Sequence, residues 1–408
     1  MTIRLLILLC LLLPAGAAFS QTDQPAIGIS FSGFVKTDVL FDTRQTVALR
    51  EGHFLLYPSP VLPDVSGEDI NAASSFNMLP IQSRLAGKIT GPDALGAKTS
   101  GLLEAEFFGT SDADASGFRI RHAFLKMEWK RTSLLVGQFW HPMFVVEVFP
   151  GVVSFNTGVP FQPFSRNPQI RFTQVFGDVK LTLAAMSQRD FQSNGPTGFS
   201  SSYLRNAVVP NLHAQLQYAT SGHIFGVGGD YKQLIPRIVT TRNRAAHATV
   251  TGFALLGYAK LALDPVTVKA EGTFGENLAD HVMLGGYGVR TLDTATGVES
   301  YTALKCFSVW GEVSTGKELE FALFAGYTEN LGAAENPAGG LYCRGTDIDN
   351  VFRLAPRVAW NEGKVRLAAE YEYTSAGYGV ANLLDKGKVG NVTNVANSRL
   401  LLAAYFFF

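Results

Sequence analysis

The chain ends Ala396-Asn397-Ser398-Arg399-Leu400-Leu401-Leu402-Ala403-Ala404-Tyr405-Phe406-Phe407-Phe408. Counting back in twos from Phe408 gives Phe406, Ala404, Leu402, Leu400 and Ser398. The other parity carries Phe407, Tyr405, Ala403, Leu401, Arg399 and Asn397. Side chains of a strand alternate between two faces, so this run reads as a strand with one face apolar from Leu400 to Phe408 and a second face that begins polar. A naked aromatic terminus on a soluble protein is more often disordered or buried by chance. The reading therefore depends on the rest of the chain.

The same rhythm recurs upstream. In 29–42, Ile29, Phe31, Gly33, Val35, Val39 and Phe41 oppose Ser30, Ser32, Lys36, Asp38 and Asp42. In 79–90, Leu79, Ile81, Leu85 and Ile89 oppose Gln82, Arg84 and Lys88. Segment 99–108 sets Leu103, Ala105 and Phe107 against Glu104 and Glu106, and 118–129 starts in phase and loses it after Phe124, as a bulge would cause. Further candidates are 132–140, 169–176, 179–188, 211–220, 223–233, 249–263, 265–275, 301–313, 317–328, 348–360, 364–374 and 396–408, which makes sixteen in all.

The connections alternate too. Every second link is tight: Gly91-Pro92-Asp93, Lys130-Arg131, Gly177-Asp178, Ser221-Gly222, Asp264-Pro265, Thr315-Gly316 and Asn361-Glu362-Gly363. The others are long, at about 43–78, 141–168, 189–210, 234–248, 276–300, 329–347 and 375–395, with a shorter one near 109–117. A soluble sandwich has no such parity. The pattern predicts an all-β transmembrane antiparallel barrel of about sixteen strands, with short periplasmic turns and long extracellular loops. A ring of that size leaves an aqueous channel.

The other end of the chain agrees. Met1-Thr2-Ile3-Arg4 is a short basic region and Leu5 to Leu13 a nine-residue apolar run, followed by small residues suited to cleavage after Ser20 or Ala17. Residues 1–20 read as a cleaved signal peptide and 21–408 as a single barrel domain. Removing Arg4 leaves 33 basic against 34 acidic residues. A near-neutral chain argues against a nucleic-acid binder driven by phosphate attraction. No later segment reaches about eighteen consecutive apolar residues. Cys306 and Cys343 survive export; a disulfide and two free thiols both stay open.

If the apolar parity faces lipid, the polar parity lines water. The wall then carries Lys36, Arg84, Lys88, Arg119, Arg121, Arg171, Lys180, Lys269, Arg353, Arg357, Arg366 and Arg399, with Asp38, Glu104, Glu106, Glu271, Glu318, Glu320, Glu370 and Glu372 among them. Guanidinium rows suit anions, because the planar fork matches carboxylate and phosphate oxygens. The competing reading is that these arginines pair with neighbouring carboxylates and merely keep the wall wet. Loop 141–168 is too apolar for a solvated loop and too rich in proline for a central strand, which predicts a segment folded into the barrel as a constriction. Glu147 and Arg166 are its expected polar contributors. A cover over a subunit interface is the alternative.

Chemistry is poorly represented. The seven histidines are scattered, no metal-ligand spacing is present, and Gly226-Val227-Gly228-Gly229 lacks the strand-helix setting of a dinucleotide site. His122 and His213 read as wall or packing residues. The expectation is a non-enzyme without cofactor or metal. Weaker rivals are a transporter of hydrophobic compounds, a barrel-borne hydrolase and an adhesive barrel.

The terminal strand closed by Phe408 resembles the signal by which Gram-negative bacteria assemble outer-membrane barrels. Ser32-Gly33-Phe34-Val35-Lys36-Thr37-Asp38, Phe118-Arg119-Ile120-Arg121-His122-Ala123-Phe124, Leu135-Val136-Gly137-Gln138-Phe139-Trp140 and Asn167-Pro168-Gln169-Ile170-Arg171-Phe172-Thr173 resemble pieces of DcaP-like outer-membrane porins. That resemblance implies a homotrimeric sixteen-stranded channel in outer-membrane lipid that passes small hydrophilic solutes, often anions such as dicarboxylates. Arg119, Arg121 and Arg171 lie in the matching pieces and are the first candidates for pore cations. Relatives with a helical periplasmic N-terminal extension differ from this chain, whose lead before Gly28 is short.

Overall fold

Each run of alternating residues becomes one stave of a wall. A computed structural model describes residues 27–109 and 111–408; the expected signal peptide lies outside them. The wall strands are β1 (Gly28–Asp42), β2 (Ser75–Leu79, resumed as Arg84–Thr90), β3 (Lys98–Glu106), β4 (Arg119–Glu128), β5 (Thr132–Trp140), β6 (Arg166–Phe176), β7 (Val179–Met186) and β8 (Asn211–Thr220). They continue as β9 (His223–Leu234), β10 (Val250–Leu263), β11 (Val266–Glu276), β12 (Glu299–Thr315), β13 (Leu319–Ala333), β14 (Ile348–Glu362), β15 (Val365–Asn382) and β16 (Lys388–Phe407).

Every neighbour is antiparallel, and β16 pairs with β1 from Phe34↔Phe407 to Asp42↔Arg399. Phe408 completes the seam: its N–H donates to Gly33 O at 3.1 Å, and Gly33 N–H donates back at 3.2 Å. The result is a closed sixteen-stranded barrel with no free edge, which lets an all-strand wall satisfy its backbone in lipid.

Burial follows parity along these strands. On β16, Leu400, Leu402 and Phe406 are exposed on the outer face, while Asn397, Arg399, Leu401 and Ala403 are buried within. On β15, Val365, Leu367, Tyr371 and Tyr373 face outward against buried Glu370, Glu372 and Thr374. Tight turns crowd one rim and long connections the other. Among the described residues the one α-helix, Ser202–Ala207, is far too short to cross a membrane.

Four local expectations need correction. The second strand is broken: Pro80 has no N–H to give the ladder, Ser83 N–H turns back to Pro80 O at 3.1 Å, and Ile81 is buried rather than lipid-facing. In β4 the irregularity falls where Arg121 is skipped, between the Glu104↔His122 and Ala105↔Ile120 pairs, and not after Phe124. Residues 375–395 are not an open loop. β15 and β16 run on as a paired hairpin to Asn382 and Lys388. Finally, 276–300 and 329–347 hold two short strands, Gly285–Leu292 and Leu341–Arg344, which pair with each other. Cys306 and Cys343 are both unpaired.

Candidate functional site

Residues 141–165 leave the wall between β5 and β6 and turn inward. Pro142, Pro150, Pro160 and Pro163 deny this stretch a strand ladder, so its apolar side chains must find a core elsewhere. They find it inside the barrel. Met143, Phe144, Val145, Val148, Phe155, Val159, Phe161 and Phe164 are buried, packed with Phe54, Leu56 and Tyr57 of an inserted hairpin (Thr46–Leu49 and Phe54–Pro58) and with Leu278, Val282, Met283 and Leu284 after β11. Trp140 stacks on Phe144 with centroids 3.8 Å apart, and Phe108 on Phe155 at 3.9 Å.

An irregular segment inside a barrel carries backbone groups that no ladder satisfies, and each must be paired or pay a desolvation cost. Charged wall residues supply the partners. Glu370 accepts from Val153 N–H at 2.7 Å and Ser154 N–H at 3.0 Å, and Glu312 accepts from Gly151 N–H at 2.7 Å. Lys36 donates to Val153 O at 2.9 Å, Lys269 to Phe149 O at 3.0 Å, and Ser308 to Phe161 O at 2.7 Å. Arg353 joins both inserted segments, donating to Val159 O at 2.7 Å and to Leu56 O at 2.9 Å.

Most of the expected wall cations therefore have partners. Arg84, Arg119, Arg121 and Arg166 surround Glu106, with Glu104 and Asp190 completing the cluster; Arg121 reaches Glu106 at 2.6 Å and Arg119 reaches Asp190 at 2.8 Å. Arg399 forks onto Asp42, Arg357 onto Glu312 and Glu320, and Arg366 meets Glu320 at 3.4 Å. Lys36 pairs with Asp38, which also receives His53 at 2.7 Å. Arg166 is the first residue of β6 rather than part of the inward loop, and it is 1% exposed. Asp190, in the loop after β7, was not singled out from sequence. Burial alone would raise its pKa, but Arg166 and Arg119 outweigh that and hold it below the usual carboxylate range.

Arg171 is placed differently. It donates to Gln169 Oε1 at 2.8 Å and to Trp140 O, lies over Phe139, and makes no carboxylate pair. It lines a cavity of about 410 Å³ beneath the inserted loop, together with Lys126, Glu147, Lys180, Thr173, Thr182 and Gln215. Glu147 pairs with Lys180 at 2.6 Å, and that ammonium outweighs burial to keep the Glu147 carboxyl below its ordinary value. Lys126 is likewise paired, with Glu128 at 2.6 Å, so among the described residues Arg171 is the cation lining this space without a carboxylate partner.

No protein-family model matches the chain, and no curated protein does. Among solved structures, the fold is similar to the outer membrane channel DcaP of Acinetobacter baumannii, with a TM-score of 0.69 at 15% identity over 94% of this chain and 97% of that one. It is also similar to the outer-membrane expressed OmpT of Vibrio cholerae, with a TM-score of 0.56 at 11% identity, covering 95% of this chain and 99% of that one. The anion-selective porin from Comamonas acidovorans gives 0.55 at 11% identity, covering 94% and 100%. At these identities the likeness is one of fold, and it is the fold that the short sequence pieces implied.

Proposed function

We propose that this protein is a non-enzymatic outer-membrane porin, exported with a cleaved signal peptide, that lets small hydrophilic solutes diffuse through a constricted barrel and favours anions such as dicarboxylates. The observation that carries the reading is a closed barrel with apolar side chains outside, charged ones inside, and an inward loop tied across it. The anion preference rests on the cavity where Arg171 faces open space without a carboxylate, beside the Lys180–Glu147 and Lys126–Glu128 pairs. Anions gain there from fixed positive charge in a site partly shielded from water. The likeness to channels and to an anion-selective porin supports the same reading. We further propose a homotrimer with its short turns on the periplasmic side, assembled through the Phe408 signal.

The test is recording from purified protein in a planar bilayer under a salt gradient. Stepwise conductance with a reversal potential on the anion side is expected, and Arg171→Glu with Lys180→Glu should carry that potential toward the cation side. Stable insertion without conductance sinks the channel; an unchanged potential in the double variant sinks the role given to these cations.

A further inference from the structure

Asp230 on β9 is a buried carboxylate whose neighbours are of an unusual kind. Among the described residues its ion-pair partners are two histidines and no lysine or arginine: His213 Nδ1 lies 3.3 Å and His141 Nε2 3.4 Å from the same oxygen, Oδ2. The three donor atoms gather within 4.8 Å of one another, and all three residues are buried. Lys232, on the same strand, is spent on Asp280 and on Asn277 O. An ionised carboxylate out of water needs a compensating positive charge. Nothing permanent supplies one here.

We infer that His141, His213 and Asp230 form a binding site for a divalent cation of zinc-like chemistry, which would fasten the inserted loop to the barrel wall. Two imidazoles and one carboxylate are the donor set such borderline ions prefer, whereas magnesium and calcium favour oxygen. Bonds of roughly 2.0–2.1 Å to a tetrahedral ion place neighbouring ligand atoms roughly 3.3–3.4 Å apart. The two separations at Asp230 Oδ2 match that edge and are longer than a good charge-assisted hydrogen bond.

The surrounding groups set the donors. Tyr258 donates to Gln217 Oε1 at 3.0 Å and accepts from Gln215 Nε2 at 2.6 Å, which leaves Gln215 Oε1 to accept from His213 Nε2 at 3.1 Å. With Nε2 turned to Gln215, His213 presents Nδ1 to Asp230 Oδ2 at 3.3 Å, across the space an ion would fill. Asn211 Nδ2 donates to Asp230 Oδ1 at 2.7 Å, orienting the carboxylate as outer-shell partners of metal ligands do. His141 Nδ1 accepts from Met143 N–H at 3.2 Å, so its Nε2 carries the proton, directed at Asn211 Oδ1 3.3 Å away as well as at Asp230, and a bound ion would take that proton's place.

His281, 1% exposed, stands edge-on to His141 with centroids 4.5 Å apart, and neither of its ring nitrogens has a hydrogen-bond partner. It lies outside the trio and is the idle imidazole beside it.

Chelator-stripped, folded protein in detergent is titrated with zinc chloride by calorimetry, and a zinc-soaked crystal is read at the zinc absorption edge. Expected are one tight ion per chain, an anomalous peak about 2.0–2.2 Å from the three named atoms, and at least about a 100-fold loss of affinity in His213→Ala and in Asp230→Asn. Absence of uptake, a peak at His223 or His247, or affinity retained in both variants overturns the site. Should either variant fail to fold, the wild-type peak position decides by itself.

Discussion

At the scale of single residues, charge inside this barrel is spent mainly on holding structure. Arg353 is the plainest case, since its guanidinium satisfies carbonyls of two inserted segments and the hydroxyl of Thr374 at 2.9 Å. Arg353→Met leaves those buried carbonyls without donors, and an unmet buried acceptor costs about 1–3 kcal/mol. A loss of about 3 kcal/mol or more in detergent unfolding is expected, with noisier and larger single-channel currents as the loop loosens. Asp190 carries a pH prediction. Its pKa is depressed in the folded state, so the folded protein binds fewer protons than the unfolded chain as pH falls below about 4, and stability falls with it. Asp190→Asn should be destabilised at pH 7 by about 3–5 kcal/mol, because Arg119 and Arg166 lose a buried partner. The gap to wild type should shrink in melts run down to pH 2; a gap constant across that range rules the linkage out.

At the scale of elements, what matters is how an apolar loop fits a polar wall. Gly326 on β13 gives Phe161 its place: a Cβ there would sit 2.5 Å from the ring. Gly326→Val should cost about 1–3 kcal/mol as an overpacked site and push Phe161 off the wall, changing conductance while leaving the barrel closed. A crystal structure of the variant with Phe161 unmoved would refute this. Element placement was largely legible in sequence. The two-residue turn Ser221-Gly222 even sets the β8–β9 register, and with it the facing of His213 and Asp230. That signal was available, but scanning for metal pairs at helical spacing overlooks ligands paired across a hairpin. The second strand was misread because its alternation runs on through Pro80, which breaks the ladder, and the tall last hairpin because alternation fades between 375 and 395 although the pairing continues.

At the scale of the whole molecule, closure is the decisive event. The last strand meets the first along nine residue pairs, and Phe408 exchanges two hydrogen bonds with Gly33. Truncation after Tyr405 removes that end of the seam and exposes an edge of β1. A sharp fall in heat-resistant folded protein recovered from membranes is expected, and full recovery would show that the seam does not need its aromatic end.

The amino-acid sequence determined, by itself, the strand number, the parity of turns and loops and most of the lipid-facing side chains, and it marked 141–168 as a segment too apolar and proline-rich for an open loop, because period-two hydropathy and proline act locally. Only the tertiary structure decided which charges meet. Arg119, Arg121 and Arg171 were alike candidates for pore cations, with pairing to neighbouring carboxylates the open alternative; Arg119 and Arg121 close on Glu106 and on Asp190 from a distant loop, while Arg171 is left facing open space. Pairing of that kind depends on how inserted segments fall across the lumen, and no local pattern in the chain encodes it.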